Sequence, residues 1–541
     1  MKIQAVQGSR PRLLLTTTNR SRSAPGHDLK PLIGSQPCTM SLSKQSASFS
    51  HQGLSQTRHM SSGIRRMSAE AGAALAPMPD HTFHDLGAQQ QPTAVINIER
   101  EFWRKIPIWR ETSEKEFTSY WWSNMNSVTY TSRKYKHEDG STAIKWTGNL
   151  EKHLRSVLPD YVPKRNHKDI LVSREDFIQD AVLGARNSSM SIRVTAHEWS
   201  CINWDDPAND PIALQFLAQH SHLVRDHPEV RLDSLEEKKD SPVPGLAHRY
   251  PNKVLFLVTD VCPLYCGFCT RGYAVSEATE TVTEKTSIKP QAERISNALA
   301  YIEEKPEIRD VVVSGGDAYM IDPVKLEEIC MRLIAMPNIE RFRIATKGLN
   351  AAPHRLADLS DPWTRALLRC NEAAKRAGKD MALHTHFNHP NEVTWITRKA
   401  ARMLRDAGLT VRNQTVLLKD INDTVDCQLE LIHELARMGI TPYYVYLCDM
   451  TTGVERFRTP LQTLLDIQHQ ITGRTAGFLI PKFVVDLPGG GGKRIASDYE
   501  TYDRTTGIST WKAPAIQGTQ EGRDKKGKIY KYYDPVRESQ T

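Results

Sequence analysis

The sequence predicts an α/β fold: a full or partial (β/α) barrel of about six βα units with a helical N-terminal extension. Three observations carry this. From residue 254 onward, short apolar runs alternate with amphipathic stretches. Those stretches repeat their apolar residues at helical spacing. The unusual motifs fall at the ends of strand candidates, and a parallel barrel gathers such ends at one mouth. A doubly wound sheet is the alternative arrangement of the same units.

Strand candidates are "VLFLVT" (254–259), "DVVVS" (310–314), "RFRIAT" (341–346), "MALHT" (381–385), "LTVRNQTVLL" (409–418), "YYVYLC" (443–448) and "KFVVD" (482–486). Between the first two, "AERISNALAYI" places Ile295, Ala298, Leu299 and Ile302 on one helical face. Alternating strands and helices imply parallel pairing through right-handed crossovers. Residues 246–500 therefore form the barrel, and 501–541 a C-terminal tail. Residues 96–245 read as mostly helical, with aromatic anchors in "EFWRKIPIWRETSEKEFTSYWW". No chemistry-specific spacing occurs there, so a cap or packing layer is expected.

The net charge of +8 is concentrated at one end. Residues 1–69 hold ten Lys/Arg and one acid, Asp28, so the remaining chain sums to −1. A near-neutral body has no footprint for phosphate backbones, and no nucleic-acid partner is expected. The basic, Ser- and Arg-rich start has the composition of an organellar targeting peptide, with the mitochondrial matrix preferred and the cytoplasm the alternative. Residues 70–95 read as a linker. No apolar run approaches the roughly 18 residues of a membrane helix, so a soluble protein without a membrane partner is expected.

Nine cysteines, an odd number without a secretory signal, argue for a metal or redox site and against a disulfide framework. Three of them cluster in "TDVCPLYCGFCTRGY": Cys262, Cys266 and Cys269, spaced C-x3-C-x2-C after a strand. Thiolates are the natural ligands of iron–sulfur clusters, and four normally complete a [4Fe–4S] cube. Three can hold three irons and leave the fourth open to another molecule. Zinc competes, but a structural site needs a fourth ligand from elsewhere. A thioredoxin-type pair would use Cys266 and Cys269 and leave Cys262 unexplained.

The cysteine motif after one strand, followed by "SGGD" after the next, resembles the radical S-adenosylmethionine superfamily. "HRYPNKVLFLVTDVCPLYCGFCTR", "VRNQTVLLKDIND", "FRTPLQ" and "FVVDLPGGGGK" are similar to segments of its lysine 2,3-aminomutase family, over roughly residues 100–495. The resemblance implies an isomerase interconverting L-lysine and L-β-lysine. Its cofactors would be a [4Fe–4S] cluster, S-adenosylmethionine on the open iron, and pyridoxal phosphate. A reduced cluster would cleave S-adenosylmethionine, and the 5′-deoxyadenosyl radical would take hydrogen from carbon 3 of the substrate. An electron donor protein is then required.

Residue by residue, the resemblance makes Lys493 of "PGGGGK" the amine that bonds the aldehyde of pyridoxal phosphate, where four glycines would allow close approach. A phosphate loop is excluded, because Leu487 and Arg494 stand where it needs Gly and Ser/Thr. Otherwise the motif reads as a flexible turn with a solvated lysine. Arg249, Tyr250 and Lys253 match the segment contacting pyridoxal phosphate. Lys253 stands where the family has arginine, keeping the charge but losing the planar fork. Arg271 matches the clamp on the substrate carboxylate, and Asp449 and Asp486 the two acids holding the distal ammonium; their ordinary readings are a surface arginine and turn or cap aspartates. Gly315, Gly316 and Asp317 resemble the motif receiving the methionyl amino group. His386 and Gln414 map onto further S-adenosylmethionine contacts. His384, His386 and His389 have metal-like spacing, but hydrogen-bonded neutral histidines are expected there.

One departure is plain. The family's bacterial form carries C-terminal cysteines that bind zinc with a cysteine from an earlier loop. This tail has none, and Thr424 stands at the earlier position. Structural zinc is not expected, and a homo-oligomer is expected without the family's tetramer being implied. Two other functions stay open: an aminomutase for another amino acid or a protein-borne lysine, and a non-catalytic metal-binding protein.

Overall fold

Two edge strands that alternation alone does not reveal complete the barrel. In the computed structural model, described for residues 100–541 apart from 137, 138, 140, 141, 290, 515–526 and 537–541, the main sheet has nine strands. They are β1 (Leu246–Tyr250), β2 (Lys253–Thr259), β3 (Asp310–Gly315), β4 (Arg341–Ala345), β5 (Asp380–Thr385), β6 (Thr410–Leu417), β7 (Thr441–Leu447), β8 (Lys482–Leu487) and β9 (Gly492–Ile495). Their spatial order follows the chain. Strands β2 to β8 pair in parallel, while β1 and β9 fold back antiparallel on β2 and β8. The readings of 1–69 and 70–95 lie outside the described residues.

Six helices return the chain between the parallel strands: α1 (Ala292–Glu304), α2 (Pro323–Ala335), α3 (Pro362–Arg376), α4 (Trp395–Asp406), α5 (Val425–Arg437) and α6 (Leu461–Ile471). Their starts are written in the sequence. Asp322 and Asp361 cap α2 and α3 ahead of a proline at the first helical position, and Thr394 and Thr424 cap α4 and α5. Thr424, at the position discussed for zinc, thus has a capping role. The stripe Ile295, Ala298, Leu299 and Ile302 of α1 is buried against strand residues such as Val254, Phe256, Val311 and Val313. Continuous apolar runs suit these strands, because helices cover their outer face.

The N-terminal region is helical in part, with its longest helix at Arg174–Asn187, but it also carries five strands in two small antiparallel sheets. These short strands lack the long alternation that would mark them in sequence. The predicted anchors Phe102, Trp103, Trp109 and Phe117 are buried, with Trp103 and Phe117 stacked 4.3 Å apart. Their cluster includes Leu264 of the cysteine loop and Ala351 and Ile396 of the barrel, so these residues pack against the barrel.

The described residues of the segment read as a tail pack on the barrel. Strands β10 (Thr501–Asp503), β11 (Ile508–Lys512) and β12 (Ile529–Tyr533) form an antiparallel sheet. Trp511 and Tyr532 are buried, and the Tyr532 hydroxyl donates to the Cys448 carbonyl at 2.7 Å. Among the described residues no helix is long and apolar enough to cross a membrane.

Candidate active site

The loop after β2 carries the cysteines, and the N-terminal region pins it. Tyr265 N–H donates to the Arg193 carbonyl and Gly267 N–H to the Gln215 carbonyl, both at 2.9 Å. Cys262, Cys266 and Cys269 are half-buried, unbonded thiols whose ionisation burial disfavours. Among the described residues, no three His, Cys, Asp or Glu side chains are arranged around a single metal ion. The donor set fits an iron–sulfur cube, which spreads soft thiolates over separate irons.

The next two strand ends face this loop. Gly315 has φ +133°, and a Cβ there would lie 2.3 Å from the Thr259 carbonyl oxygen. At Gly316 it would lie 2.7 Å from that of Val261. Only glycine lets these backbones meet. Asp317 has less freedom than expected, because its carboxylate accepts from Tyr319 N–H and Lys347 N–H, each at 2.8 Å. It holds the loop closed, and burial raises its pKa to about 6. His386 Nε2 lies 3.1 Å from Asn388 Oδ1, and burial lowers its pKa to about 3. A neutral ring on the cavity wall suits an organic cation or adenosine. His389 instead caps a turn by accepting from Asn391 N–H at 3.1 Å.

At the open seam of the barrel, β9 approaches β1. The Lys493 N–H donates to the Tyr250 hydroxyl at 2.8 Å, a side-chain bridge where the sheet lacks a ladder. Lys493 and Asp486 are direct partners in the β8–β9 hairpin, so register alone places them side by side. Lys493 Nζ lies 2.7 Å from both Asp486 oxygens and 4.1 Å from the Tyr446 ring centre. Burial alone would lower this amine's pKa, but the Asp486 charge overrides it and holds the pKa above the usual lysine range. The reading of a solvated lysine on a flexible turn is therefore corrected. Of the two acids expected to hold a distal ammonium, Asp486 is paired with Lys493 in this structure. Asp449 accepts from the Thr270 hydroxyl through Oδ2, while its buried Oδ1 has no partner. Burial first, and Asp486 second, raise its pKa to about 7.

Arg271 likewise is not an open clamp. Its Nε and Nη2 donate to Glu237 at 3.0 and 2.8 Å. Arg249 donates to Asp240 and to the Leu235 carbonyl. Lys253 Nζ sits 4.1 Å from the Tyr250 ring centre, and burial lowers its pKa. The acids Glu237 and Asp240 were not singled out in sequence, since they fall within the 96–245 region, where no chemistry-specific spacing occurs. Two acids just before the "HRY" segment were the available signal.

The candidate cluster, cofactor and substrate residues line one cavity of about 380 Å³: Arg249, Tyr250, Lys253, Cys262, Cys266, Cys269, Arg271, Gly315, Gly316, Asp317, His386, Gln414, Asp449, Asp486 and Lys493. The volume suits small organic ligands. The radical SAM superfamily model matches residues 256–435. The L-lysine 2,3-aminomutase of Fusobacterium nucleatum subsp. nucleatum is 36% identical over 373 residues, 68% of this chain and 80% of that protein. That of Clostridium subterminale is 38% identical over 305 residues, 56% and 68% of the two chains.

The chain belongs to the lysine 2,3-aminomutase family of the radical SAM superfamily. It is an enzyme, an isomerase of the aminomutase kind, with an amino-acid substrate. Membership of the radical SAM superfamily implies a [4Fe–4S] cluster and S-adenosylmethionine. The family's relatives differ in substrate: the glutamate 2,3-aminomutase of Clostridioides difficile is 32% identical over 284 residues, 52% of this chain and 62% of that protein.

Proposed function

We propose that this family member interconverts L-lysine and L-β-lysine with pyridoxal phosphate as a further cofactor. The carrying observation is that the three thiols and the Lys493 amine line the same cavity. When bound, the cluster and S-adenosylmethionine supply a carbon-centred radical, and pyridoxal phosphate supplies the aldehyde through which nitrogen migrates between carbons 2 and 3. The chain's own residues supply placement and exclusion of water.

Lys493 can bond the aldehyde only after its ammonium loses a proton, and the Asp486 oxygens at 2.7 Å are in place to hold that proton. Asp486 also gives the amine a position when substrate takes its place. Arg249, Tyr250 and Lys253 face the same end of the cavity and suit an anionic, aromatic cofactor. The free edge of Arg271 suits the substrate carboxylate, and the unpartnered Asp449 Oδ1 suits a distal ammonium. That last feature favours a diamino acid over glutamate, because a second carboxylate there would meet Asp449. Gly315, Gly316, His386 and Gln414 line the part of the cavity shared with the cysteine loop, which suits S-adenosylmethionine.

Anaerobic incubation of the reconstituted protein with lysine, S-adenosylmethionine and a reductant tests this reading. The expected product is β-lysine; turnover of glutamate in place of lysine would contradict it. An electron donor protein and a homo-oligomer belong to the same proposal. The exposed Trp121 and Met125 of one short helix support assembly, and a monomer in light scattering would contradict it. A mitochondrial location rests on the composition of residues 1–69; a fluorescent fusion of that segment remaining in the cytoplasm would overturn it.

A further inference from the structure

Two of the cavity arginines, Arg271 and Arg249, are held from behind by one short segment, Asp233–Asp240. Glu237 accepts from Arg271 Nε and Nη2 at 3.0 and 2.8 Å and from the Tyr273 hydroxyl at 2.8 Å. Asp240 accepts from Arg249 Nε at 2.5 Å, and the Leu235 carbonyl accepts from Arg249 Nη2. The two acid side chains are 6% and 0% exposed. The segment is itself fixed. Asp233 accepts from Glu237 N–H at 3.0 Å and Lys238 N–H at 3.2 Å, and the Asp240 carbonyl accepts from His248 N–H at 2.8 Å.

A guanidinium presents its five N–H groups in a rigid fork. Holding the Nε–Nη2 edge therefore dictates where the remaining edge points. Arg271 and Arg249 both line the cavity, so what their anchors leave over is offered to ligands. We propose that Glu237 and Asp240 are positioning residues: Glu237 fixes the Arg271 edge that takes the substrate carboxylate, and Asp240 fixes the Arg249 edge that takes pyridoxal phosphate. This rests on the roles given above to those two arginines. Each acid also balances a buried cation that would otherwise be unpaired.

A strap that merely holds the fold would fail as a unit, whereas positioning residues fail separately. The test uses the full chain with reconstituted cluster, with Glu237→Gln and Asp240→Asn as variants. Pyridoxal phosphate affinity is read from absorbance, lysine KM and kcat at saturating cofactor, and affinity for lysine against its carboxamide by competition. Glu237→Gln is expected to raise the lysine KM roughly tenfold or more, with carboxamide and cofactor affinities near wild type. Asp240→Asn is expected to weaken pyridoxal phosphate binding roughly tenfold or more, with the lysine KM near wild type. Equal loss of both functions in both variants would overturn the proposal. So would an unchanged lysine-to-carboxamide ratio in Glu237→Gln. If either variant loses its cluster absorbance, Glu237→Asp, which keeps the charge and draws it back, is expected to raise the lysine KM alone; a wild-type KM there would contradict the claim. Failure of the wild-type protein to bind pyridoxal phosphate would overturn the cofactor reading and the Asp240 role with it, while the carboxamide comparison would still decide Glu237.

Discussion

The chemistry of the cavity turns on which side chain has a partner before any ligand arrives. Lys493 is paired with Asp486, and Asp449 Oδ1 is not paired at all. Lys493→Ala is expected to abolish turnover while leaving cluster absorbance intact; retained activity would contradict the assigned amine. Asp449 gives a pH prediction. Its pKa of about 7 lies above the ordinary aspartate range, so between the two the folded protein holds a proton the unfolded chain has lost. Raising the pH through that window destabilises the substrate-free protein. A bound ammonium offsets the cost, so lysine should bind more tightly as pH rises from about 6 to about 8. Asp449→Asn should flatten that profile, which equilibrium titration of lysine would check. The sequence made the residue types legible but not the pairs. Glu237 lies 34 positions from Arg271, and such partners follow from the fold, not from local spacing.

At the level of elements, glycine decides where backbones can meet. A Cβ at Gly315 would lie 2.3 Å from the Thr259 carbonyl oxygen, on backbone of positive φ. Gly315→Ala is expected to cost about 1–3 kcal/mol of stability and to lose S-adenosylmethionine binding, as thermal denaturation and calorimetry would show. Unchanged binding would mean that this strand end does not shape the cavity. All seven parallel strands were legible, most as apolar runs and β4 and β6 as apolar residues alternating with polar ones. The edge strands β1 and β9 were not: "LAHRY" and "GKRI" are short and polar, and their pairing follows from turns at Pro251–Asn252 and at the glycines. These two strands carry Tyr250 and Lys493, so the least legible elements hold part of the most specific chemistry.

Across the whole molecule, the barrel is completed from both ends of the described chain. The N-terminal layer pins the cysteine loop, and the C-terminal sheet packs Trp511 and Tyr532 against β7 and β8, behind the Lys493 hairpin. Trp511→Ala is expected to cost about 3–5 kcal/mol and to lower the melting temperature; a neutral change would show that the sheet is dispensable. The C-terminal sheet was not legible in sequence, since its strands are short and mixed in polarity. The central claim is that the radical arises beside a substrate held at the Lys493 end of the same cavity. Lysine deuterated at carbon 3, incubated anaerobically with S-adenosylmethionine, pyridoxal phosphate and reductant, tests it most directly. Mass spectrometry should find deuterium in 5′-deoxyadenosine with the wild type and none with Lys493→Ala. Deuterium-free 5′-deoxyadenosine from the wild type during turnover would contradict the account.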